Sequence, residues 1–131
     1  MIDEEAFGEC GDIVSVKIPE NVTEIGEGAF SWCKNLVSAN IPCSVTEIKS
    51  DTFFNCESLA GITIPDSVTK ICSNAFDSCE SITDIIIPES VTDISVFTFD
   101  GCTNIRAAYK GKIYDYNHVR ELYGAINGES Y

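Results

Sequence analysis

Leu59-Ala60-Gly61-Ile62-Thr63-Ile64-Pro65-Asp66-Ser67-Val68-Thr69-Lys70-Ile71-Cys72-Ser73-Asn74-Ala75-Phe76-Asp77-Ser78-Cys79 decides how this chain is read, because its marked residues recur at a step of 23. Pro65 belongs to the series Pro19, Pro42, Pro65, Pro88. Phe76 belongs to Phe7, Phe30, Phe53, Phe76, Phe99, and Cys79 to Cys10, Cys33, Cys56, Cys79, Cys102. Three residue types held to one period in this range mark a stack of coils rather than a globular fold. Alignment at the same step gives apolar columns: Ile13, Leu36, Leu59, Ile82, Ile105; then Val16, Ala39, Ile62, Ile85, Ala108; then Ile18, Ile41, Ile64, Ile87. Val16 and Ile18 straddle Lys17, the period-two alternation of a strand with one buried face. Proline ends that strand, since it brings no N–H to the ladder.

A second extended run, Val68-Thr69-Lys70-Ile71 with its counterparts, suits another strand through its β-branched residues. The rest of each unit, such as Glu27 to Cys33 around Ala29 and Phe30, is read as one helical or 3₁₀ turn that closes the coil. One coil turns roughly eight side chains inward, too few to offset the entropy of ordering it, so neighbours must stack to bury its two flat sides.

The single repeat domain 1–131 divides into a partial repeat 1–12, full repeats 13–35, 36–58, 59–81 and 82–104, and a degenerate last coil with a capping helix over 105–131. Ile2, Ala6, Phe7 and Cys10 match Ile25, Ala29, Phe30 and Cys33, so the chain starts partway through a coil. An open apolar edge there predicts homo-oligomers. In the last unit Lys110 falls on the inward isoleucine column and Gly111 on the proline column. Residues 117–126 read as a helix, with Asn117 as N-cap, Val119, Leu122, Tyr123 and Ile126 on one face, and Gly128 ending it.

The pairing of Ile64-Pro65-Asp66-Ser67-Val68-Thr69-Lys70-Ile71 with Ala75-Phe76-Asp77-Ser78-Cys79 in one frame resembles the BspA-like class of leucine-rich repeats, over residues 2 to 109. The resemblance implies a right-handed leucine-rich-repeat solenoid of α/β type, with a parallel β-sheet on one face, short helical or 3₁₀ turns on the other and a C-terminal capping helix. It also implies a cell-surface or secreted protein of the adhesion type, without enzymatic activity, binding a protein of host, matrix or self. The opening residues MIDEEAFGEC are acidic and lack the basic start and apolar stretch of a secretory signal, so a surface or secreted protein is expected if the N-terminus was trimmed from a larger precursor, and the alternative is a cytoplasmic scaffold or spacer with no dedicated ligand.

Composition narrows the partners. A net charge of −13 argues against nucleic acid, whose phosphates need clustered Lys and Arg. It equally disfavours docking on anionic lipid, and no apolar run is long enough for membrane insertion. Seven cysteines suggest disulfides or metal. Stacked positions in a parallel ladder, however, sit about 4.8 Å apart with parallel Cβ vectors, and a disulfide wants convergent Cβ atoms about 3.8 Å apart. No CxxC pair is present, so no metal site is expected and the column is read as buried thiols filling the core. Cys43 and Cys72 lie off it, on polar columns, and are expected to be exposed and oxidisable. The lone histidine, His118, reads as a solvated helix-start residue, and no catalytic constellation or cofactor motif can be drawn.

What remains is surface that varies over a fixed scaffold. The outward strand column is Lys17, Asn40, Thr63, Ile86 and Tyr109, flanked among others by Asp84, Arg106 and Ala107. Such a stripe fits a recognition face, with Ile86 and Tyr109 as anchors, and equally fits drift at unconstrained positions. Trp32 and Phe54 form a second patch on the turn-bearing side, where other coils carry polar residues.

Overall fold

The computed structural model describes residues 1–128. Its strands are short and run in the order β1 (Ser15–Val16), β2 (Ser38–Ala39), β3 (Glu47–Ile48), β4 (Lys70–Ile71), β5 (Asp84–Ile86), β6 (Asp93–Ile94), β7 (Arg106–Tyr109) and β8 (Lys112–Asp115). A 3₁₀ turn (Tyr116–His118) and helix α1 (Val119–Asn127) follow. The chain is a leucine-rich-repeat-type solenoid whose coils present two parallel sheets and a turn-bearing side. β1, β2 and Gly61 pair in parallel at one end of the first sheet face, and β5 and β7 pair in parallel at its other end as a separate ladder. β3, β4 and β6 form the second, which an Ile2–Ile25 bridge extends toward the first coil. Ser15 pairs with Ser38, and Glu47 with Lys70 and then Asp93, each a step of 23.

The repeated columns become files through the interior. Phe30, Phe53, Phe76 and Phe99 are fully buried, and from Phe7 onward their rings stack at 5.2, 5.6, 5.5 and 5.7 Å with interplanar angles of 5 to 14°. That spacing follows from coil rise, since a parallel ladder repeats every ~4.8 Å and a ring of this size can only stack offset on its copy. The cysteine file runs beside it. The thiols of Cys33, Cys56, Cys79 and Cys102 each donate to the carbonyl of the phenylalanine one coil back, at 3.1, 3.1, 3.1 and 2.9 Å. Cysteine therefore fills a small space and also satisfies a buried acceptor.

The turn-bearing side differs from the helical or 3₁₀ turn read from the sequence. Alternate amides divide their bonds between two ladders. Ala29, Ser31 and Cys33 donate three residues back within their own coil, whereas Gly28, Phe30 and Trp32 donate to Ser50, Thr52 and Phe54 of the next. This needs left-handed backbone at two columns: Glu5, Gly28, Asp51, Asn74, and Glu9, Trp32, Asn55, Ser78, Gly101. A helix would have spent every amide within the coil and left the stack unbonded on this side.

The last parallel strand, β7, corrects a second expectation. Asp84 pairs with Arg106, Ile85 with Ala107 and Ile86 with Ala108, a step of 22 rather than 23. One residue of slip exchanges the two faces of a strand. Tyr109 is therefore buried at 5% exposure and takes the inward place beside Ile87 that Lys110 was expected to hold. Ala107, expected outward, is fully buried, and Ala108 faces out. Lys110 (φ 48°) and Gly111 (φ 80°) then make a two-residue turn with both φ positive, the hairpin type whose twist matches its strands. β8 returns antiparallel along β7.

Helix α1 closes the stack by imitation of another coil. Tyr123 continues the aromatic file, its ring 6.4 Å from Phe99. Its hydroxyl oxygen accepts the Phe99 N–H (2.9 Å), and that of Tyr116 accepts the Gly101 N–H (3.0 Å). These are the amides that in earlier coils donate to a following carbonyl, as Phe76 does to Thr98 and Ser78 to Asp100. On the second sheet the Asn127 side-chain amide accepts from Ile94 N–H and donates to its carbonyl, both at 2.8 Å. Leu122, Tyr123 and Ile126 are buried and Val119 half-buried, and Gly128 (φ 74°) ends the helix. Asn117 is not the N-cap. It lies in the 3₁₀ turn, and the helix starts one residue later, after His118.

Candidate functional site

On the first sheet the outward stripe is shorter and more apolar at one end than its sequence column suggested. Lys17 and Thr63 are exposed. Asn40 is committed to the scaffold: its side-chain oxygen accepts the Ile18 N–H (2.6 Å) and its amide donates to the Ile18 carbonyl (2.8 Å). Tyr109, offered as an anchor, is inside the solenoid. Its place is taken by residues that only the hairpin brings together. Ile86, 73% exposed, is in register with Ala108, which is in register with Ile113, 55% exposed. The next outward row is Asp84, Arg106 and Asp115, all exposed. The result is an apolar row bordered by a row of alternating charge on a rigid three-stranded surface.

His118 sits beyond that charged row, with its Nδ1 2.6 Å from an Asp115 oxygen. The hydrogen bond and charge of Asp115 hold the imidazole above its usual range, and the same bond holds the Asp115 carboxyl below its own. Both side chains are solvated, so the pair is an ordinary surface contact in energy. Ile113 escaped sequence reasoning because it is one strand further on. Its only signal was the Lys110-Gly111 turn between two runs of alternating residues.

On the turn-bearing side the structure brings Trp32 and Phe54 into contact. Their rings meet edge to face, with centroids 5.6 Å apart at 79°. Trp32 is 42% exposed and Phe54 half-buried. A second apolar departure on this side, Val96 and Phe97, stands on columns that carry Glu27, Ser50, Ser73 and Gly28, Asp51, Asn74 in earlier coils. Both are exposed, and with Tyr116, Val119 and Tyr123 they line a groove of about 470 Å³ against the capping helix. The same comparison of columns that singled out Trp32 would have found them.

The off-column cysteines behave differently from each other. Cys43 is exposed, as expected. Cys72 is half-buried, with its thiol donating to Glu47 (3.1 Å); burial and the neighbouring carboxylate push it up to about 11, so it is not the oxidisable group read from its column. Burial likewise pushes Cys56 and Cys102 up to about 12 and Cys79 well above the ordinary range. A nucleophilic or metal-binding thiol needs the opposite displacement. Among the described residues no three His, Cys, Asp or Glu side chains converge on a metal position, and no helix is long and apolar enough to cross a membrane.

Comparison with known proteins agrees with this geometry. Residues 1–114 match the BspA type leucine rich repeat region in six copies. A leucine rich cell surface protein from Faecalibacterium prausnitzii superposes with a TM-score of 0.83 at 36% identity, covering 99% of this chain and 33% of that one. A leucine-rich repeat protein from Bacteroides ovatus gives 0.79 at 35%, covering 85% and 29%, and the leucine rich repeat protein of T. pallidum gives 0.77 at 35%, covering 80% and 49%. The chain thus spans less than half the length of these solved relatives. Comparison with curated proteins returns no match.

Proposed function

Because the chain belongs to the BspA-type leucine-rich repeat family, we propose that it is a non-catalytic protein-binding module of a surface or secreted protein, and that its first sheet carries the contact through Ile86, Ala108 and Ile113. The exposure of Ile86, at 73% on a strand bonded into a three-stranded sheet, is the observation that carries this reading. Large apolar side chains set side by side on a rigid surface, with a charged row beside them, have the anatomy of a binding centre with a polar rim. Protein-interaction roles are general among leucine-rich repeat families, and one superposing relative is described as a cell surface protein. Lys17 and Thr63 extend the contact toward the first coil, and Asp84 and Arg106 set its orientation.

The test is a panel of purified matrix and host-surface proteins screened against immobilised chain. Any binder is then measured with the Ile86→Ser/Ile113→Ser double variant. A loss of at least tenfold is expected, since two truncated anchors of this kind cost about 2 kcal/mol or more together. Equal affinity would remove this face from consideration. A spacer or scaffold without a dedicated ligand is the second reading. Seven unpaired thiols, four of them buried in the file, favour it, because such a set suits a reducing compartment. A panel without a single binder would leave that reading standing.

Self-association through the outer side of the first coil is a further part of the proposal. Ile2, Cys10, Ile13, Val16 and Val22 are only partly covered there, and one face of the Phe7 ring stacks on Phe30. Sedimentation of the 131-residue chain should show concentration-dependent mass. A monomer at every concentration would contradict it.

A further inference from the structure

From the geometry of the turn-bearing side we infer that the Trp32–Phe54 pair is a docking site for a cationic side chain, arginine above all, presented by a protein partner. Trp32 stands on a left-handed column (φ 64°) whose other members are Glu9, Asn55, Ser78 and Gly101. Small polar residues and glycine are the ordinary occupants of such backbone, and a bulky aromatic there is strained. The ring nonetheless remains 42% exposed, resting by its edge on Phe54. Packing of the core does not account for a strained tryptophan held in solvent.

The surroundings specify the chemistry of the occupant. Glu5, Glu27 and Asp51 border the same shallow groove, together with Asn74. None of the three carboxylates lies within ion-pair distance of a Lys or Arg among the described residues, and the nearby Lys49 is engaged by Glu24. Asp51 is pushed upward by burial and by the charges of Asp77 and Glu5, so the group of acids is mutually repulsive as it stands. The indole already attracts a cation of its own: Lys34 Nζ lies 5.5 Å from the ring centroid. A ring of this kind, flanked by unpaired carboxylates, selects a group that is planar, apolar on its faces and positively charged at its edge. Guanidinium meets that description better than ammonium, since it stacks on the ring while its N–H groups reach the acids. A carboxylate or phosphate would be repelled, and a purely apolar segment would leave the acids desolvated and unpaired.

The site is separate from the Ile86 row, so failure of either leaves the other intact. Trp32 is the only tryptophan of the chain, so its emission reports on this site alone. The probe is a capped hexapeptide alternating Arg and Gly, compared with the Lys–Gly and Glu–Gly analogues at low and at physiological salt. Quenching of Trp32 is expected to saturate with the Arg peptide, with an affinity several-fold above that of the Lys peptide, and to be absent with the Glu peptide. Peptide anisotropy then measures two variants. Trp32→Gly suits the left-handed backbone, keeps the fold and leaves every charge in place. It is expected to weaken binding at least tenfold, as is the Glu5→Gln/Glu27→Gln/Asp51→Asn variant. Lys34→Gln removes the internal competitor and should tighten binding two- to fivefold. Unchanged affinity in Trp32→Gly would mean diffuse attraction to a chain of net charge −13 and would overturn the inference. No saturable binding of the Arg peptide would do the same.

Discussion

The interior coils and the C-terminal end meet the same requirement by different means. Between the coils, amides on one turn find backbone acceptors on the next: Phe30 on Thr52, Phe53 on Ala75, Phe76 on Thr98. At the end there is no further coil, and side chains replace its backbone. Tyr123 supplies both a ring for the Phe99 stack and an oxygen for the Phe99 amide, while Asn127 offers Ile94 the two groups that a neighbouring strand would have offered. Asn40 does the same service for Ile18 in the middle of the array. A solenoid is therefore closed by matching its unpaired groups atom for atom, and a covering of apolar surface alone would not have sufficed.

The largest expected effect tests the interior file through pH. Below about pH 9 the thiols of Cys56 and Cys102 are protonated whether the chain is folded or not, and they contribute their full share. Between that value and about 12 the unfolded chain loses these protons and the folded chain keeps them, so stability falls as pH rises. Circular dichroism should show cooperative alkaline unfolding in that window. Cys56→Ser/Cys102→Ser, which cannot ionise there, should move its midpoint upward. Unfolding at the same pH in the double variant would show that Cys56 and Cys102 are not what titrates.

Next in size is Phe53→Ala, which removes a fully buried ring lying between two others. A loss of about 3–5 kcal/mol in urea is expected. Since coils interact only with neighbours, the transition should also broaden or split. Tyr123→Phe keeps the ring of the cap and deletes its oxygen, leaving the buried Phe99 amide unpaired; about 1–3 kcal/mol should be lost. A change below ~0.5 kcal/mol would mean that the cap works by area alone. The smallest effects compare two amides with one role. Asn127→Ala and Asn40→Ala each remove a pair of half-buried hydrogen bonds and should each cost about 1–2 kcal/mol. Hydrogen exchange distinguishes them: the amide of Ile94 should lose protection in the first variant and that of Ile18 in the second. Loss of neither would show that these bonds are incidental.

Much of this was legible before any coordinates. Phe30, Cys33, Leu36 and Ile41 lie where their columns put them, because a residue in a stack sees the same neighbours one coil up and one coil down. The left-handed turn columns were legible too. Gly28, Asp51 and Asn74, then Asn55, Ser78 and Gly101, are residue types that tolerate positive φ, recurring in step. Gly26 had a different reason to be glycine: a Cβ there would meet the backbone of Asp3 and Glu4 at 2.5–2.9 Å. The place of Tyr109 was not legible. Ala107 and Ala108 fit an inward or an outward position equally well, so nothing in that stretch announced the missing residue.

From the residues alone follow the coil length, the files of Phe, Cys and Ile, the proline-terminated strands and a helix near the C-terminus, since each depends on contacts that repeat identically along the chain. Tertiary structure alone decided which side of the last strand faces out, that Ile113 lies in line with Ile86, and which oxygens stand in for a missing coil. The reason is that these features arise where the repeat stops. There the partners are a hairpin and a helix, and their register is set by closure in three dimensions rather than by a period.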